Sequence, residues 1–274
     1  MLDSRTIAAI SMLCAALLAG CLGERVAGGT GVGNPTKGSV TVALQAASGQ
    51  DALAKPGATQ PRNPDGTFSV TDAGGTVFTI RSALANVGRV RLQLPEGIVC
   101  KDADETECES GEVSIPGPFV ADLMTGGWQP DPGVVRIPVG EYRRMDVRLE
   151  AMEKGATGTD PDLPGHSMVV KGSFDYAGKA DRSFSLALDF DEDARFENLA
   201  GLGVEAEGLN RLIVLLDVEQ WLAKANITGC LDDKSLSLDA QGGLHVDKEN
   251  ACPGLENILK DAIKGSGNLR GRHE

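Results

Sequence analysis

The stretch Arg144-Met145-Asp146-Val147-Arg148-Leu149-Glu150 constrains this chain more than any other. Apolar and charged residues alternate along it without a break. Successive side chains of a β-strand point to opposite faces, so the pattern is a strand with one apolar and one charged face. The same period recurs elsewhere. Val40, Val42 and Leu44 share a face, as do Val90, Leu92 and Leu94, then Met168, Val170, Phe174 and Tyr176, then Phe184, Leu186, Leu188 and Phe190. Shorter runs surround Phe68 and Val70, Phe78 and Ile80, Pro118–Leu123, and Val135–Val139. Leu212–Leu216 is continuously apolar and suits a strand buried on both faces. About nine strands joined by short turns, with little helix between them, predict a mainly β chain, an antiparallel β-sandwich.

Helix is expected near the end. Asp217 with Gln220 three residues on is a capping pattern ahead of Trp221 and Leu222. Pro253 suits a first helical position. Leu255, Ile258, Leu259, Ala262 and Ile263 then form one apolar stripe, with Glu256 and Lys260 paired on its flank and Gly265 as a stop. Residues 266–274 have little to bury and are expected to fray.

The N-terminal residues read as an export signal. Arg5 precedes an apolar run from Ile7 to Leu18, broken only by Ser11. A dozen or so apolar residues match a signal core and are too few to span a bilayer. Leu18-Ala19-Gly20-Cys21 follows and resembles the lipobox of bacterial lipoproteins. The resemblance implies cleavage before Cys21 and acylation of that residue, hence attachment to a membrane. Leu22, rather than an acidic residue, follows Cys21. By resemblance to lipoprotein sorting in enteric bacteria, this implies the outer membrane or cell surface. The resulting organisation is a signal peptide over 1–20, a lipidated and Gly-rich tether over 21–37, a β-sandwich with its helix over 38–265, and the tail. The tether, as a flexible coil, reaches roughly 20–25 Å.

Six cysteines are present. Cys14 leaves with the signal and Cys21 is taken by lipid. Cys100, Cys108, Cys230 and Cys252 remain, an even number in an oxidising compartment, and three pairings are open. Nearest neighbours, Cys100–Cys108 and Cys230–Cys252, are favoured; closing those loops is worth roughly 2.6 and 3.4 kcal/mol. Zinc is disfavoured, because no C-x-x-C occurs and His166, His245 and His273 lie far apart. The net charge of −13 weighs against nucleic acid as a partner.

Ile115-Pro116-Gly117-Pro118-Phe119-Val120-Ala121-Asp122-Leu123, then Ile137-Pro138-Val139-Gly140-Glu141-Tyr142, then the long alternating strand, resemble the domain of unknown function 4382. That family occurs in secreted and lipoprotein bacterial chains. The resemblance covers about residues 38–155 and implies a β-sandwich without known catalytic residues.

Motifs for chemistry are sparse. Gly165-His166-Ser167 lacks the strand–turn–helix context of a nucleophile elbow. Asp189, Asp191 and Asp193 are candidate calcium ligands at the end of a strand, though they lack the glycine and distal glutamate of a calcium loop. Aromatic residues make up 4% of the chain. Trp128, following Gly126-Gly127, is the one expected at the surface, either as a ligand contact or as a loop anchor. The expectation is a lipid-anchored envelope protein with a non-enzymatic structural or binding domain and no cofactor, calcium apart. Its partner would be an envelope protein or polysaccharide. The alternatives are a carbohydrate-binding module, assisted by calcium, and a cell-envelope hydrolase.

Overall fold

The computed structural model describes residues 36–48, 63–98, 107–109, 111–156 and 160–274, all within one compact unit. The signal, the lipobox with Cys21, most of the tether, Cys100 and most of the Pro- and Gly-rich loop after Ser48 lie outside the described residues. Fourteen strands and three helices are described. In chain order they are β1 (Lys37–Ala47), β2 (Phe68–Thr71), β3 (Val77–Gln93), β4 (Glu107–Glu109), β5 (Glu112–Asp122), β6 (Gly127–Gln129), β7 (Val135–Pro138), β8 (Gly140–Leu149), β9 (Met168–Tyr176), β10 (Lys179–Leu188), β11 (Glu192–Val204), β12 (Leu209–Asp217), α1 (Val218–Ala223), α2 (Ile227–Asp232), β13 (Leu244–Val246), α3 (Leu255–Gly265) and β14 (Gly267–His273).

The strands form two sheets that face each other across one apolar core. The smaller runs β14-β12-β1-β7; the larger runs β11-β8-β3-β9-β10-β13, with β2, β4, β5 and β6 attached through β3 and β5. The mainly β sandwich is as expected, but the sheets are mixed rather than purely antiparallel. β1 pairs in parallel with β12, and β10 with β13. Alternation identifies a strand's faces and carries no information about its partner's direction. A parallel pair needs a crossover, and here every strand of the larger sheet except β13 lies between β1 and β12 in sequence. The apolar run Leu212–Leu216 belongs to this inner strand, with Leu212, Val214 and Leu216 buried and Ile213 and Leu215 half-buried.

β3 organises the larger sheet. At seventeen residues it outruns any single partner. One edge pairs first with β2 and then with β5. The other pairs with β9 over Phe78–Ala85 and with β8 over Val87–Leu92. Asn86 sits at the change of partner and is 2% exposed. Its N–H donates to Ser167 O at 2.7 Å, and its Nδ2 donates to Glu150 O at 2.9 Å. It thus holds both ends of the connection between β8 and β9. The register shifts at Gly88, where a Cβ would lie 2.2 Å from Glu150 Oε1.

β8 carries the alternation described above, with one departure. Asp146 faces outward yet its side chain is only 2% exposed. It stands opposite Arg91 of β3 on one side and Arg195 of β11 on the other. Arg144 Nε lies 3.0 Å from each carboxylate oxygen, Arg195 Nε 3.4 Å from Oδ1, and Arg91 Nη2 3.8 Å from Oδ2. Glu112 and Asp193 close the network at 3.3 and 2.7 Å from Arg91. The hydrogen bonds to Asp146 hold the Arg144 guanidinium in its charged form against the opposing effect of burial. A one-residue slip of β8 would turn Asp146 into the core, so this cluster also fixes register.

The C-terminal region departs from expectation in two ways. The tail expected to fray forms β14 instead, antiparallel to β12 from Gly267↔Leu216 to Asn210↔His273. Leu269, its sole large apolar residue, is fully buried, and Gly267 makes room for the Phe196 ring. Pro253 also falls outside α3, whose N-cap is Gly254. Otherwise α3 matches its stripe, with Leu255, Leu259 and Ile263 buried, though Ile258 is 40% exposed. Asp217 caps α1 by accepting from Glu219 N, and Gln220 Nε2 donates to its Oδ2 at 2.7 Å. Cys230–Cys252 forms a disulfide that joins α2 to the approach of α3. Cys108 is also disulfide-bonded; its expected partner, Cys100, lies outside the described residues.

Replacing Asp146 with Asn leaves three guanidinium groups around a neutral amide. The expected loss is roughly 2–4 kcal/mol, below the usual figure for a broken buried pair because the arginines are partly hydrated. Urea unfolding at neutral pH measures it; an unchanged midpoint would show that the cluster does not hold the sheet.

Candidate functional site

The outer face of the larger sheet is not uniformly polar. Val120, Leu163, Val169 and Ala187 form a second small apolar cluster there, flanked by Leu84 and Met152. Leu163 is fully buried although it belongs to the β8–β9 connection. That connection leaves the sheet at Glu150 and folds back across it. Met152 and Pro164 form a bridge, and Met152 N donates to His166 O at 2.9 Å. Lys171 of β9 clamps the connection down, its Nζ 2.6 Å from Asp160 Oδ1 and 2.7 Å from Asp162 Oδ2.

A second projection rises beside it. The β5–β6 hairpin turns at Leu123–Gly126, where Asp122 Oδ1 accepts from Met124 N at 2.9 Å and Oδ2 accepts from the Thr125 hydroxyl at 2.8 Å. Gly126 takes the left-handed conformation that the turn requires, φ 77°. Between hairpin and connection lies an open cleft of about 370 Å³. Leu84 and Val120 form its floor. Asp122, Thr125, Gly127 and Gln129 line one wall, and Asp160 faces them from the other.

Trp128 borders this cleft, but its indole serves as an anchor. Trp128 pairs with the inward Ala121, so the pleat sends its side chain to the inner side. There Nε1 donates to Val42 O at 2.9 Å, and the ring stands edge-on to Phe119 with centroids 5.8 Å apart. The residue fastens the hairpin to the smaller sheet. No other aromatic residue lines the cleft among the described residues, so it offers no platform on which a sugar ring would stack. Trp221 and Tyr142 are buried, and Tyr176 is half-buried with its hydroxyl donating to Asp232.

The three candidate calcium ligands face three different basic side chains. Asp189 Oδ1 lies 2.8 Å from His166 Nδ1, Asp191 pairs with Arg148, and Asp193 Oδ2 lies 2.7 Å from Arg91 Nη2. No group of three or more His, Cys, Asp or Glu side chains with metal-binding geometry occurs among the described residues. Asp189 is also held through its backbone, its carbonyl accepting from Lys260 Nζ at 2.6 Å. Ser167, beside His166, is fully buried and donates to Leu188 O at 2.7 Å while accepting from Phe190 N. It ties β9 to the end of β10.

Strand periodicity does not reveal the cleft, because its far wall comes from a loop. One signal was available: Val169, Ala187 and Val120 are apolar at positions whose phase points outward, which marks a face that something covers.

No protein-family model matches this chain, and no curated protein does. Among solved structures, MbnP from Methylosinus trichosporium is similar to it at 11% sequence identity and a TM-score of 0.32, over 72% of this chain and 80% of that one. No property passes from one to the other at that level.

The Asp160 carboxyl is subject to opposing effects. Burial raises its pKa, but the hydrogen bonds from Lys171 and the Asp162 N–H, with the Lys171 charge, together hold it below the ordinary carboxylate range. Burial likewise lowers the Lys171 pKa, and its bonds to Asp160 and Asp162 outweigh that and raise it. A depressed carboxylate stabilises the fold above its unfolded pKa of about 3.9, and the contribution is lost as pH falls through the depressed value. A raised ammonium contributes fully below its unfolded pKa of about 10.4 and loses that contribution as pH rises through the raised value. Lys171→Met is expected to flatten both limbs of the stability–pH curve, read from denaturation midpoints. A curve parallel to the parent's at acid and alkaline pH would contradict the clamp.

Proposed function

We propose that this chain is a lipid-anchored envelope protein whose β-sandwich works by non-covalent binding through the cleft beside the β5–β6 hairpin. Anchoring rests on Leu18-Ala19-Gly20-Cys21 and the short Gly-rich segment after it. Two acyl chains suffice for stable attachment without a spanning helix. No helix among the described residues is long and apolar enough to cross a membrane.

The observation that carries the binding reading is the position of the cleft. The tether joins the domain at Lys37, the first residue of β1. Gly126, at the hairpin turn, packs on Gln45, and Leu123 O accepts from Ala46 N at 2.7 Å. Eight residues of strand separate Lys37 from Gln45, roughly 26 Å at about 3.3 Å per residue. The hairpin beside the cleft therefore meets β1 toward the end away from the attachment point at Lys37, where a partner in the surrounding compartment reaches it. The lining supplies carboxylates, a hydroxyl, an amide and an apolar floor, which suit reversible binding.

The anchor is tested by Cys21→Ser in the native host. The variant is expected in the soluble fraction and without palmitate label. Retention in the membrane fraction with label intact would remove the lipoprotein assignment.

A further inference from the structure

The chemistry of the cleft restricts what it takes, and this step rests on the binding reading above. Its floor, Leu84 and Val120, is aliphatic, and both walls end in carboxylates, Asp122 and Asp160. A volume of about 370 Å³ suits one side chain and the backbone around it, rather than an extended polymer. The local charge is unbalanced. Asp122, Asp160 and Asp162 are three carboxylates, and Lys171 is the one ammonium bonded among them. Asp160 takes its bonds from Lys171 and Asp162 N on Oδ1, and Oδ2 accepts from no described residue. The chain as a whole carries −13, so its field draws cations toward the cleft and repels anions.

We propose that the cleft binds a lysine side chain projecting from a basic partner polypeptide. The four-carbon stem lies along Leu84 and Val120 while the ammonium is met by the Asp160 and Asp122 carboxylates. A lysine is built for such a place, since its stem covers apolar surface and its head keeps polar company. Lys171 already shows the wall's affinity for an ammonium: its Nζ is held by two carboxylates of the same connection. A neutral sugar brings no charge to the carboxylates and finds no ring to stack on; an acidic polymer is repelled.

The test uses the full chain in a neutral detergent, with the methyl resonances of Leu84 and Val120 and the amide of Gln129 followed by NMR. Three probes are titrated into the tens of millimolar: acetyl-Ala-Lys-Ala-amide, the same peptide with norleucine in place of lysine, and the same peptide with glutamate. Saturable shifts are expected with the lysine peptide alone. Asp160→Asn is expected to weaken them about fivefold, in line with one partly exposed ion pair, while the methyl resonances of Leu269, in β14, stay in place as a check on folding. Equal shifts with lysine and norleucine peptides would overturn the lysine proposal and leave a binding cleft of another specificity. Unchanged lysine affinity in Asp160→Asn would overturn it too. No saturable shift with any probe would overturn the binding reading and the proposal with it.

Discussion

One strand with two successive partners on the same edge sets the architecture of this domain. β3 is too long for a single neighbour, so β8 leaves it where β9 arrives. At such a junction backbone groups would be left unpaired inside the sheet, and an unpaired buried group costs about 1–3 kcal/mol. Asn86 offsets part of that cost by bonding Glu150 and Ser167, the residues that flank the gap, while its own Oδ1 stays buried without a partner among the described residues. The connection between them is thereby pinned at both ends to one buried side chain and its backbone. Residues 160–164 then lie across the outer face, where Leu163 and Lys171 hold them. The cleft follows from this: one wall comes from the returning connection, the other from the hairpin that continues β5, which pairs with β3 on both sides of the junction with a register shift at Gly88.

Electrostatics does different work in two places. Around Asp146 the charges are nearly balanced, with Arg91, Arg144 and Arg195 set against Asp146, Glu112 and Asp193, and the geometry closes on itself. That network spends its charge on register. Around Asp160 the carboxylates exceed the cations, and the excess opens onto a cavity. The first cluster closes on itself within the sheet, and the second borders the cleft.

The strands were legible because alternation is a local property. Met145, Val147 and Leu149 point inward as their spacing implies, and the Asp217 cap and the Leu255, Leu259, Ile263 stripe follow from spacing as well. What was not legible depends on neighbours remote in sequence. Parallel pairing of β1 with β12 is set by residues about 170 positions apart, as in the Nδ2 bond from Asn210 to Ser39 O. β14 escaped because its sequence carries one large apolar residue, Leu269, and its stability comes from a strand already in place. Asp146 reads as a solvated charge in sequence, and it is buried because three arginines from three strands converge on it. The cleft combines a loop, a hairpin and a sheet face, and no single window of sequence contains it.

Residues 150–152 and 163–167, the two ends of the β8–β9 connection, are a fixed part of the sheet rather than a free loop, and native-state amide hydrogen exchange reads this out residue by residue. Met152 N, Gly165 N and Asn86 N donate to His166 O, Met152 O and Ser167 O. In the native state these three amides are expected to exchange at rates comparable with those of β3 itself, as members of one cooperative unit. Exchange of Met152 and Gly165 at the rate of an unstructured peptide, with β3 still protected, would contradict the account, because neither the second apolar cluster nor the wall of the cleft would then persist.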